Sequence, residues 1–283
     1  MYTLSNAELT VSILDPIADQ QRLGSRYCTG GYIWQVSDAR LGELLSGPLY
    51  PEEPNTFDGQ GMPDMFHQAL IPEQLPVGGE AGCIGVGRVR RTSPHEPFDV
   101  RFNPEVAEFV KWDVHVNSHS ILMTTAQTFH AWAYGLARTV TLSGRNILSQ
   151  TEIRNQGQVP LPVRWFAHPF FPIPADNVLC KFSIPVSMPE NPGYAMNADG
   201  YIIRKPDHDW KRGWYQVLEY ERSGVNLTIL QKHPKVGEVV TRTDFMPGFL
   251  PIWGNANTFS FEPYFIRELS PGESASWSIE YRF

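Results

Sequence analysis

The chain has 283 residues, 42% hydrophobic and 12% aromatic, with a formal net charge of −7. That apolar content supports a large core. The scattered Lys and Arg offer no basic stripe for nucleic acid, and no run of about 18 apolar residues offers a membrane span.

The N-terminus lacks the basic start and continuous apolar stretch of a secretory signal. The three cysteines, Cys28, Cys83 and Cys180, lie far apart with no CxxC spacing. Neither a zinc site nor a disulfide framework is expected, and a reduced, cytoplasmic setting follows.

Gly and Pro punctuate the whole chain, 23 and 24 of them. Between the turns lie alternating segments rather than helical ones. After "CTGGY", the stretch from Pro48 to Gly82 is long and irregular, as a functional or wrapping loop would be. "CIGVGRVRR" follows, with Arg88 among apolar neighbours. Its glycines permit close backbone approach, but it lacks a full GxGxxG, which excludes a dinucleotide reading. "NPEVAEF" opens like a short helix, with Asn103 as cap and Pro104 at the first position. "VKWDVHV" then alternates as a strand, placing Val110, Trp112, Val114 and Val116 on one face.

"ARTVTLSGRNILSQTEIRNQG" predicts two strands around a Ser-Gly-Arg-Asn turn. "VPLPVRW" predicts another, running into the extended "HPFFPIP". This segment places His168 among aromatic residues, either as a structural imidazole or as an acid–base group in a pocket. "DHD", Asp207 to Asp209, superficially suggests a metal cluster. In a strand the neighbouring side chains would point to opposite faces, so a charged loop and no metal are expected. In "NTFSFEP", Phe259 and Phe261 share one face of a half-buried strand, Ser260 and Glu262 the other, and Pro263 stops the ladder. Glu262 is then either a solvated acid or a general base. "SASWSIEYRF" closes the chain as a strand through Trp277, Ile279, Tyr281 and Phe283. We therefore expect one all-β domain spanning residues 1–283, a large antiparallel β-sandwich.

In order, "SRYCTGGYIWQV", "GVGRVRR", "RNILSQTEIRNQGQVPLPVRWFAHPFF" and "PIWGNANTFSFEPYFIRELSPGESASWSIEYRF" resemble the aldose 1-epimerase (galactose mutarotase) superfamily. The last two blocks carry most of the likeness. The sequence lacks the family's Asn-Arg-Ile and His-Gly-Gly, having "RVRRTSPHEPF" instead, which makes it an outlying member. The resemblance implies His168 as general acid and Glu262 as general base. It implies Arg88 as substrate-binding arginine, with Arg91 as the alternative, and His95 and Asp209 as further contacts. Trp165, Phe170, Trp253 and Tyr264 are expected to line a groove for the apolar face of a pyranose.

The implied reaction is ring opening and closure of a hemiacetal, with acid and base on opposite sides of the ring and no cofactor. The expected partner is a small-molecule sugar, and the expected state is a monomer or homodimer. The alternative is a non-catalytic carbohydrate-binding protein on the same fold.

Overall fold

A computed structural model describes residues 1–283. Every regular element is a β-strand except two single 3-10 turns, Gln20–Arg22 and Trp210–Arg212. All strand pairings are antiparallel. No helix is long and apolar enough to cross a membrane.

The largest layer is an eight-stranded sheet. Its order is Cys180–Phe182, Leu227–His233, Gly237–Thr243, Ser274–Arg282, Asn146–Asn155, Trp132–Ser143, Ser120–Phe129 and Asp113–Val116. Its longest hairpin, Trp132–Ser143 with Asn146–Asn155, turns at Gly144, whose φ of 54° suits glycine. Alternate residues of each strand face inward: Tyr134, Leu136, Val140 and Leu142 on one, Trp277, Ile279 and Tyr281 on another.

A second layer covers that inner face. It contains a three-stranded sheet, Tyr264–Leu269, Leu161–Ala167 and Asp64–Phe66, and a four-stranded one, Phe171–Pro172, Thr258–Phe261, Pro251–Gly254 and Trp214–Val217. Aromatic packing joins the layers. Trp277 stacks on Phe265 with ring centres 4.2 Å apart and meets Trp165 at 5.5 Å. Among these residues is a buried ion pair, Arg138 with Asp64, that also engages Thr151. A guanidinium at that depth needs both partners.

Around Thr258–Phe261 the second layer is buried on both faces. Its outer face carries a smaller cluster that includes Tyr27, Tyr32, Trp34, Phe166, Phe170 and Tyr264. This explains why Thr258–Phe261 is buried at all four positions rather than half-buried, as alternation suggested.

Two local expectations are corrected. Residues from Asn103 form no helix; Val106–Phe109 is a strand paired with Gly87–Arg90. The Asn103 side chain accepts from the backbone N–H groups of Thr92 and Ser93 instead of capping a helix. The strand expected from Val110 begins only at Asp113, and Val116 is half exposed.

Candidate active site

Register brings His168 and Glu262 together. Leu161–Ala167 pairs antiparallel with Tyr264–Leu269, ending at Phe166 opposite Tyr264. Farther on, Phe171 pairs with Phe259 and Pro172 with Thr258. Extending the first register forward, or the second one back, reaches the same partners: His168 opposite Glu262. Between the two ladders the strands part. His168 N–H bonds to the Pro63 carbonyl and Glu262 N–H to the Pro251 carbonyl. Pro169 and Pro263, each following one of the pair, have no N–H to continue a ladder. The breach leaves the two side chains facing each other, His168 Nε2 lying 3.3 Å from Glu262 Oε1.

Aromatic rings enclose the pair. The imidazole centre lies 4.5 Å from the ring centre of Phe170, 5.9 Å from Phe166, 6.0 Å from Trp253 and 6.1 Å from Tyr27. Tyr264 stacks on Phe166 at 4.4 Å. On the neighbouring strands Trp253 pairs with Ser260 and Tyr215 with Trp253, which continues this face outward to the half-exposed Tyr215. His168 and Glu262 are only 2% and 5% exposed.

Burial decides their ionisation. It pushes the Glu262 carboxyl up to about 7, while the Arg26 charge draws it back down. It pulls the His168 imidazole well below its ordinary 6.5, and Arg26 lowers it further. Both groups favour their neutral forms, so below about pH 7 the pair holds one proton between them. That state has the same proton count as an imidazolium beside a carboxylate, and a hydroxyl placed between the groups can move the proton from one to the other. His168 Nδ1 is buried without a partner.

The remaining candidates divide. Phe170, Trp253 and Tyr264 stand at the pair, as described. Trp165 does not: strand alternation turns it to the opposite face, against Trp277 and Phe245 in the main core. Arg88 is a surface residue bonded to Glu108 and lying 3.6 Å from Glu80, in the sheet Glu80–Cys83, Gly87–Arg90 and Val106–Phe109. It lines a cleft of about 320 Å³ with Gln127, Phe129 and Tyr134, not with His168. Arg91 is spent on its own loop, bonding the carbonyls of Leu75 and Ser93 and the Glu96 carboxylate. His95 packs against Phe102 on the same loop, ring centres 3.9 Å apart. Asp209 caps the short 3-10 turn, accepting from Lys211 N–H, while His208 bonds the Gly213 carbonyl. Arg88, Arg91, His95 and Asp209 have one thing in common: each side chain is already engaged locally.

Arg26 was not among the residues expected from the sequence. It lies in "GSRYCTGGY", and its charge bears on both His168 and Glu262. Tyr27, whose ring lies beside the His168 imidazole, was missed with it. The available signal was an arginine joined to a tyrosine in a glycine-punctuated loop. Such a loop has no periodicity to show which way it faces.

No protein-family model matches the sequence, and no curated protein matches it. Solved structures do. A galactose mutarotase related enzyme from Lactobacillus acidophilus aligns over 99% of this chain and 96% of its own, with TM-score 0.62 and 12% identity. A galactose mutarotase-like protein from Clostridium acetobutylicum aligns over 99% and 93%, with TM-score 0.56 and 15% identity. An aldose epimerase homologue from C. elegans aligns over 99% and 97%, with TM-score 0.53 and 11% identity. The chain has the galactose mutarotase-like fold.

Proposed function

We propose that this protein catalyses the interconversion of sugar anomers, with Glu262 and His168 exchanging protons with a cyclic hemiacetal. The observation that carries the reading is the buried 3.3 Å contact between His168 Nε2 and Glu262 Oε1 within an aromatic enclosure. Anomerisation needs a base at the anomeric hydroxyl and an acid at the ring oxygen. Those two oxygens are bonded to one carbon, so neighbouring groups can serve both. In this reading the two groups act side by side rather than from opposite sides of the ring.

With sugar bound, Glu262 takes the proton of the anomeric hydroxyl and His168 gives one to the ring oxygen. The ring C–O bond breaks and leaves the open-chain aldehyde. After rotation about the first carbon–carbon bond, the reverse transfers close the ring on the other face. The net proton count of the pair is unchanged over the cycle. A carboxyl poised near 7 is well matched to accepting and returning a proton at neutral pH. Arg26 supports the carboxylate form, and the half-buried Trp253 beside His168 offers a ring face to a pyranose.

The test is equilibration of a pure anomer, followed by polarimetry or exchange NMR over a sugar panel. The protein accelerates it, and His168→Asn and Glu262→Gln each lose roughly 10²–10⁴ of the rate while staying folded. Unchanged rates in both variants would remove the pair from the mechanism. Binding without acceleration in the parent protein would identify a sugar receptor.

A further inference from the structure

Two arginines on the face bearing His168 have no anionic partner. Among the shielded arginines elsewhere, Arg138 is matched to Asp64, Arg145 to Asp38 and Arg91 to Glu96, while Arg204, lying over the Trp210 ring, likewise has no carboxylate. Arg26 is half-buried and has no carboxylate. Its guanidinium lies over Tyr27 and Phe57, 4.7 Å from each ring centre, with one long bond of 3.4 Å to the Phe57 carbonyl. Arg164, also half-buried, lies 5.2 Å from the Tyr264 ring centre and 5.8 Å from that of Phe249, and its buried Nε bonds to nothing. Ring faces offset part of the lost hydration of a guanidinium but leave its in-plane N–H donors unused.

The two cations serve one neighbourhood. The charges of both reach the His67 ring and the Tyr264 hydroxyl. The Tyr264 hydroxyl lies 3.1 Å from His67 Nδ1. Burial keeps that phenol protonated; donating to Nδ1, it would leave the proton of neutral His67 on Nε2, a third donor. Asp99, the carboxylate acting on His67, is occupied by Arg101 at 2.6 and 2.9 Å. A molecule of net charge −7 thus holds unmatched positive charge beside its candidate active site.

Position sets the role. Arg164, Phe166 and His168 share one side of their strand, and four residues span about 13 Å. A pyranose that reacts at His168 and lies along this side of the strand directs its other end toward the Arg164 guanidinium. We propose that the site takes a sugar bearing an anionic group, phosphate or carboxylate, remote from the anomeric carbon, held by Arg164 and His67 with Arg26 as second cation. This rests on the anomer-exchange reading and names its substrate class.

Exchange NMR on glucose, glucose 6-phosphate and glucuronate tests it. One anionic sugar exceeds glucose in kcat/KM by roughly tenfold to a hundredfold. Arg164→Gln collapses that ratio, and Arg164→Lys retains part of it. Which anionic sugar leads identifies the group. A ratio of one or below for both anionic sugars, or a ratio unmoved by Arg164→Gln, overturns the proposal. If no sugar is turned over, saturation-transfer binding of the same three sugars gives the ratio. An anionic preference there upholds the charge reading while anomer exchange alone fails, and no preference ends it.

Discussion

Glu262→Gln is expected to make the protein slower and more stable at once. In an unfolded chain the carboxyl titrates near its ordinary 4.5; in the fold burial holds it at about 7. The folded state therefore binds the proton more tightly. The stability this gives is full below about 4.5 and is lost as pH rises through 7. At 1.36 kcal/mol per pH unit, the interval from 4.5 to about 7 corresponds to about 3 kcal/mol. Glutamine keeps the shape and stays neutral, so its variant escapes that loss. Urea unfolding at pH 5 and pH 8 reads the effect: the variant gains on the parent by up to about 3 kcal/mol at pH 8 and by much less at pH 5. The same substitution forfeits roughly 10²–10⁴ in rate, a similar free energy of opposite consequence. A difference between the two proteins that is equal at both pH values would refute the claim that burial of an ionised Glu262 strains the fold.

The pH profile of kcat/KM should fall above about 7, where the shared proton leaves, and again in acid, where His168 takes a second. Arg26→Met should move both limbs upward, because Arg26 lowers both groups. Arg88→Ala should leave anomer exchange unaltered within about twofold, with a stability change below about 1 kcal/mol, as for an exposed ion pair; a large loss of activity would return Arg88 to the site. Trp165→Ala should destabilise by about 3–5 kcal/mol in urea melts through the cavity it leaves between the layers, whereas loss of sugar affinity without loss of stability would contradict its placement in the core.

Strand periodicity made much of this legible. The hairpin around Gly144 and the closing strand through Trp277 could be read directly, because each shows one face to the core. The same rule of two, applied from His168, contradicts the expectation that Trp165 lines the groove. Counting back from His168 reaches Phe166 and Arg164, and Trp165 belongs to the other side. The helix signal at Asn103 and Pro104 was real local chemistry. It yielded to pairing of Val106–Phe109 with the neighbouring strand edge, which no local rule contains. Choosing between Arg26 and Arg88 was beyond periodicity. One stands in a loop whose direction depends on Tyr27 and Phe57 packing, the other on a strand whose outer face meets two acids.

The ladder on either side of the breach keeps a single count of residues across the gap, so the spacing of imidazole and carboxylate is specified twice over. An insertion of one residue between Ala167 and Phe171 leaves the two halves disagreeing about which neighbour His168 should meet. The segment must then bulge, or one sheet must slip and turn its aromatic side chains inside out. Equal insertions in both crossing segments would preserve the halves and still separate the reactive groups. Length, more than composition, is thus the property these eight or so intervening residues have least freedom to change.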